Sequence, residues 1–351
     1  MSSPSIFNGH SNGHHNGNVN AAASYGPYPD GNFHRQKPTF PLSRSIDVSW
    51  SRWPLAFRFI KGAIHHVIII PVLCHTIFTT VVVYIDQVHG IQMRIPSSIV
   101  PSLSIVVGLM LVFRNSTSYD RFWGGRCNLQ NVVTCVRNLA RSFLVCGLNE
   151  SDYDKAEKEK VIRALVGMLY ALKNHLRSEW ALGGSSYPEY VGLLPPGMRG
   201  KEEEGVGLLL QLAYIVERYI KRGADKGAFN APQSAMLSGQ LNTLLDNYGH
   251  METIKLTPIP VCHQIHQKQV MALYCTILPF CLVDDMGWLA VPIIFLICFT
   301  LYGIEGIGEE LEDPFGSDKN DIKIDAIISD AKQEIMVLLD SWKKNGEEYR
   351  V

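Results

Sequence analysis

Ile105, Leu109 and Phe113 recur at i, i+4 and i+8, so a helix running through them carries all three on one face. Copies of that face set around an axis would stack three apolar rings. A constriction of this kind gates ions by excluding water and not by binding an ion tightly. Phe113 adds a bias of sign, because an aromatic edge carries partial positive charge and phenylalanines presented edge-on attract anions weakly. On spacing alone, lipid-facing or bundle-packing residues are the plainer account. Ser104 and Gly108 lie near the same face and would let neighbouring helices approach closely. Directly beyond Phe113 the chain turns dense in arginine and aromatics: Arg114, Tyr119, Asp120, Arg121, Phe122, Trp123 and Arg126. Arg114 could raise the anion concentration at an inner mouth, pair with Asp120, or sit at a membrane interface.

Other groups carry weaker chemistry. Glu310, Asp313, Asp318 and Asp321 form an acidic segment, and a hard cation such as calcium needs several oxygen ligands of this type. The bland account is a solvated turn or an N-cap for a last helix over Ile322–Trp342. His263 and His266 stand one turn apart and His65, His66 and His75 fall in an apolar run, so packing or interfacial roles account for them as well as metal binding does. In the pair Ile259-Pro260, proline biases the preceding residue away from helix and could present Ile259 into a lumen. Equally, Pro260 could simply start a helix. No Gly-x-Ser-x-Gly, His-Glu-x-x-His, phosphate-cradling glycine loop or zinc spacing occurs, so the sequence gives no reason to expect an enzyme. The eight cysteines show no Cys-x-x-Cys spacing and read as small buried apolar residues, with no disulfide framework. A net charge of −1 argues against a nucleic-acid binder.

The elements that must hold these residues follow from hydropathy. Apolar windows at about 62–85, 95–113, 266–283 and 286–304 approach the roughly 20 residues that a helix needs to cross a hydrocarbon core. The third is the shortest, and Lys268 can snorkel while Ile259–Gln267 lengthens it. Before the first window stand Arg44, Trp50, Arg52, Trp53, Arg58 and Lys61, and after the second stands the arginine-rich motif. Cations and tryptophans so placed mark the cytosolic end of a span. The turns at Asp86–Arg94 and Asp284–Gly287 are mostly acidic and are expected outside, which leaves both termini cytosolic. Pro71 predicts a kink in the first span and not a stop. Segment 114–256 is expected to be a helical cytosolic part, with apolar stripes over Glu157–Leu176, Gly207–Ile220 and Gln233–Tyr248 and a proline-rich loop at Tyr187–Gly200. Residues 1–41 are rich in Asn, Gly, His, Ser and Pro and read as a disordered tail with no secretory signal. The expected organisation is that tail, a channel domain over 42–325 and a C-terminal helix over 326–351.

The motif Phe113-Arg114-Asn115-Ser116-Thr117-Ser118-Tyr119-Asp120-Arg121-Phe122-Trp123, with Gly125-Arg126, resembles the segment that closes the second helix of bestrophin-like channels. Arg137–Arg141, Ile259–His266 with Leu273-Tyr274 and Leu278-Pro279-Phe280, and Gly303-Ile304-Glu305 with Glu309–Gly316 extend the likeness in order. Glu312-Asp313-Pro314-Phe315-Gly316 resembles the bacterial and fungal branch more than the animal one. Gly124 departs from it, since that branch usually has glutamate there. The resemblance implies an all-α membrane protein with four transmembrane helices and a helical cytosolic domain, assembled as a homopentamer around one ion pathway. It implies that Ile105, Leu109 and Phe113 form the pore neck and that Ile259 rings a lower aperture. It sets Asp318 and Asp321 against two aspartates of the animal calcium clasp, although Lys319 and Asn320 interrupt the acidic run.

The expected function is therefore an ion channel in a lipid membrane, taken as the plasma membrane, that conducts chloride or other inorganic anions. No cofactor is expected, calcium being the one alternative kept open. A cation-selective channel of the same fold and a non-conducting membrane scaffold are the rival readings.

Overall fold

The computed structural model describes residues 64–93, 95–148, 151–178, 188–194, 207–318 and 320–344. The expected N-terminal tail and the tryptophan-arginine segment before the first span lie outside the described residues. Among the described residues every regular element is helical. They are α1 (His65–His89), α2 (Ile99–Cys146), α3 (Asp152–Leu176), α4 (Leu208–Asp225), α5 (Ala231–Leu256), α6 (Val261–Met286), α7 (Ala290–Glu310) and α8 (Ile324–Lys344), with short 3₁₀ turns at Pro188–Tyr190 and Gly287–Leu289.

Three helical stretches are long and apolar enough to cross a membrane: His65–His89, Ile99–Cys146 and Val261–Glu310. The last is broken at Gly287–Leu289 into α6 and α7, which pack against each other. Gly287 sits at φ 49° and ψ −127°, backbone that a side chain would strain, so glycine makes this reversal. α1, the first part of α2, α6 and α7 share one apolar core that includes Val72, Val107, Leu111, Cys275, Leu278, Ile294 and Cys298. The α1–α2 loop and the α6–α7 turn lie at one end of this bundle: the Ile95 N–H donates to the Phe280 carbonyl at 3.1 Å, and the Gln87 side chain lies against Gly287. Several polar side chains of the bundle find partners within it, although the buried Gln267 amide has none among the described residues. Thr76, Thr79 and Thr80 donate to carbonyls one turn back, and His75 Nε2 lies 3.0 Å from the Tyr302 hydroxyl.

The rest of α2 enters a second core with α3, α4, α5 and α8, centred on residues such as Leu129, Val136, Phe143, Leu165, Leu212, Leu244 and Ile328. Capping fixes where its helices begin. Ser151 Oγ accepts from the Asp154 N–H at 3.1 Å ahead of α3, and Asn230 and Gln233 form a reciprocal capping box ahead of α5.

Several boundaries correct the sequence expectation. α2 starts at Ile99 and not at Ile95, in keeping with Pro96 disfavouring helix at Ile95. It does not end near Phe113 but runs on for 48 residues to Cys146, and Arg137–Arg141 belongs to the same helix. α6 begins at Val261, directly after Pro260, and Asp284 and Asp285 lie in its last turn and not in the reversal. Cys135, Cys275, Cys281 and Cys298 are buried as expected, whereas Cys74, Cys127 and Cys262 are exposed.

Candidate functional site: the lower bundle and the open face of α2

α2 crosses the apolar bundle and then carries the second core, so its two sides have different duties. Val107, Leu111, Arg114, Ser118, Gly125 and Leu129 face inward and are buried. Ile105, Leu109 and Phe113 are 71 %, 54 % and 62 % exposed, and share the uncovered side. Gly108 beside them has nothing within 4 Å of where a Cβ would stand. Ser104 is instead turned into the bundle, bonded to the Val100 carbonyl at 2.7 Å and to the Tyr274 hydroxyl at 2.8 Å.

Immediately after Phe113 the inward side becomes ionic. Arg114 is 2 % exposed and its Nη2 lies 3.0 Å from Glu312 Oε2. Asp120, one of the alternatives for Arg114, is on another side of the helix and exposed. Glu312, just past the end of α7, is a hub. Besides Arg114, its carboxylate accepts from the Ile259 N–H at 3.1 Å and from Gln264 Nε2 at 2.8 and 3.0 Å. Arg121, two turns further along α2, donates to the Glu312 carbonyl at 3.0 Å, the Thr257 carbonyl at 2.7 Å and the Ile254 carbonyl at 2.6 Å. The Ile254 and Thr257 carbonyls lie at the C-terminal end of α5, where carbonyls lose their helical partners and the dipole favours a cation. Asn115 adds a bond from Nδ2 to the Ile304 carbonyl at 3.0 Å. The middle of α2, the end of α5, the start of α6 and the end of α7 are thereby tied at one level.

Of the remaining motif residues, Tyr119 and Trp123 are exposed, and Arg126 donates to Gln130 Oε1 at 3.2 Å. Gly125 is required by packing: a Cβ there would stand 2.8 Å from the ring of Phe315, which is fully buried against it. At Gly124 the nearest atom to such a Cβ is Ile254 Cδ1 at 3.8 Å, so packing does not require glycine there.

Ile259 is only 8 % exposed and is held inside the subunit beside Glu312. Leu256 and Val261 around it are exposed. Glu310, Asp313, Asp318 and Asp321 do come together, around an open cavity of about 280 Å³. Protein groups already engage them. Asp321 Oδ2 accepts from the Asp318 N–H at 2.7 Å, Asp313 pairs with Lys255 at 2.6 Å, and Glu310 accepts from Asn320 at 3.1 Å. Burial pushes the Asp321 carboxyl up, and the charges of Asp318 and Asp313 add to that against the hydrogen bond from Asp318. Among the described residues no three His, Cys, Asp or Glu side chains are arranged to hold a metal ion.

A long helix with an open apolar face, clamped at the foot of a small apolar bundle, matches known proteins. Residues 45–337 match the family described as Bacterial/Fungal Bestrophin protein. The chain belongs to that bestrophin family. A Nostoc protein named as a voltage-dependent anion channel-forming protein is 36 % identical over 83 % of this chain and 92 % of its own length. A Synechocystis protein with the same kind of name is 37 % identical over 72 % of this chain and 81 % of its own. The crystal structure of a bacterial bestrophin homologue from Klebsiella pneumoniae superposes with a TM-score of 0.65 at 23 % identity, covering 78 % of this bestrophin and 98 % of that chain. This kinship confirms the all-helical bestrophin fold and sets the protein among membrane channels and not among enzymes.

Glu312 is the functional residue that sequence reasoning missed. It stood inside a quoted motif, yet nothing in the spacing links it to an arginine on α2. A buried guanidinium demands an acid, and only the folded chain says which acid.

Proposed function

We propose that this bestrophin is an anion channel in which five copies surround one pathway and α2 lines it. The observation that carries the reading is the uncovered stripe of Ile105, Leu109 and Phe113 on a helix whose opposite side carries the buried Val107, Leu111 and Arg114. Four crossings by α1, α2, α6 and α7 leave both termini and the second core in the cytosol. The neck so formed blocks ions when dry and passes them when wet, and the edges of Phe113 favour anions. The names of the Nostoc and Synechocystis relatives support the choice of anions. A cation-selective pathway is favoured by one feature, the exposed acids Asp284 and Asp285 at the opposite end of the bundle.

Purified protein in a planar bilayer under a potassium chloride gradient tests the reading. Currents that reverse near the chloride equilibrium potential are expected, and reversal near the potassium value would replace anions by cations. In the same bilayer the triple variant Ile105→Ala, Leu109→Ala and Phe113→Ala should conduct more or gate less. Unchanged currents would remove the neck assignment.

A further inference from the structure

α2 shows no break between Ile99 and Cys146, so a direction fixed at its upper end persists along it. At about 100° per residue, Ser116, Asp120, Trp123, Cys127, Thr134 and Arg141 fall on the same narrow arc as Ile105, Leu109 and Phe113. All six are exposed. The side left open by the bundle is thus also left open by the second core. Only two residues of the stripe are charged, Asp120 and Arg141. The cations near Asp120 are occupied elsewhere: Arg114 by Glu312, Arg121 by three carbonyls and Arg126 by Gln130.

We propose that Asp120 is a specificity-determining residue of the pathway, facing the lumen just inside the neck and opposing anion selectivity there. The inference rests on the neck assignment above. Distance decides between the two charges. Asp120 lies about 10 Å along the helix from Phe113, and Arg141 about 40 Å from it. The Debye length is about 8 Å at physiological salt, so Arg141 is screened from the neck and Asp120 is only partly screened. Without salt, a unit charge about 10 Å away in water changes local ion concentration about twofold, and screening at physiological salt lowers this. Five copies around a narrow lumen with low-dielectric walls raise that figure. The carboxylates therefore hold cations below the neck and repel chloride, acting against Phe113.

The test records Asp120→Asn in a planar bilayer under a potassium chloride gradient. Its reversal potential should move toward the chloride equilibrium value, with the chloride-to-potassium permeability ratio rising at least about twofold. Arg141→Gln should leave the reversal potential in place. Cys127, native to the same stripe, reports whether the stripe is in the lumen: a charged, impermeant thiol reagent from the cytosolic side should alter wild-type current and leave Cys127→Ser unaffected. An unchanged reversal potential in Asp120→Asn, with Cys127 still reactive in this way, overturns the role of Asp120 and leaves the neck standing. Indifference of the current to Cys127 modification and to the neck triple variant alike overturns the proposed function, and this inference with it.

Discussion

A guanidinium buried as deeply as that of Arg114 has to be compensated, and Glu312 supplies the charge from beyond the end of α7. Arg114 Nε and Nη1 find no hydrogen-bond partner among the described residues, so Glu312 is the carboxylate that bonds this cation, with the charge of buried Glu305 acting on it from nearby. Removing one member of a buried pair typically costs about 3–5 kcal/mol, because the other charge stays behind. Glu312→Ala should lose stability of that order, seen as a lower melting temperature in detergent. Glu312→Gln should lose less, since an amide oxygen can still accept from the Ile259 N–H. A wild-type melting temperature in Glu312→Ala would show that the pair is not structural. Lys158 poses the opposite case. It is 1 % exposed, with its ammonium 4.8 Å from the Trp342 ring centre, and burial pulls its pKa down to about 8 despite the raising influence of Cys146 and Asp154. Below pH 8 both folded and unfolded chains carry the proton and folding bears the full desolvation cost. Between about pH 8 and its usual value near 10.4 the unfolded chain holds more protons, so stability from this group rises with pH. Across that window wild type should gain up to about 3 kcal/mol relative to Lys158→Met, and parallel pH–melting curves for the two proteins would refute this.

At the scale of elements, two adjacent glycines in α2 make a matched comparison. A Cβ at Gly125 would meet the buried Phe315 ring at 2.8 Å, whereas at Gly124 it would make only an ordinary contact. Gly125→Ala should therefore destabilise by about 1–3 kcal/mol through overpacking. Gly124→Ala should be neutral or stabilising by up to about 1 kcal/mol, since alanine is the better helix former. Equal shifts of melting temperature in the two variants would dismiss the Phe315 contact as the cause. α2 also shows where the sequence was readable. Its apolar stretch, the exposed phase of Ile105, Leu109 and Phe113, and the helices of the second core all follow from hydropathy and periodicity. The length of α2 does not follow. A change from apolar to charged residues marks a change of solvent, and a helix has no reason to stop there unless glycine or proline breaks it. Gly147, at the true end, would bring a Cβ to 2.4 Å from the Phe143 carbonyl. The bond from the Ile259 N–H to Glu312 was not legible either, since Glu312 is distant in sequence and invisible to any local pattern.

For the whole molecule, the arrangement of the bundle makes a sidedness argument. The α1–α2 loop and the α6–α7 turn share one end, and the Arg114–Glu312–Gln264 cluster marks the other. α6, of 26 residues, runs between them, a length of about 39 Å against a hydrocarbon core of about 30 Å. If the bundle is the membrane domain, the two ends of this one helix face different compartments. Cys262 lies in its first turn and is exposed, and Asp285 lies in its last turn and is exposed as well. An impermeant thiol reagent applied to intact cells should therefore label Asp285→Cys and leave wild-type Cys262 unlabelled. Permeabilising the cells should expose Cys262. Cys74 is exposed on α1 within the apolar stretch, where hydrocarbon suppresses the thiolate that such reagents need, so it should remain silent throughout. Labelling of both ends from one side would mean that α6 and α7 dip into the bilayer and return without crossing it. The membrane domain would then rest on α1 and α2 alone, and the open stripe of α2 would need another occupant.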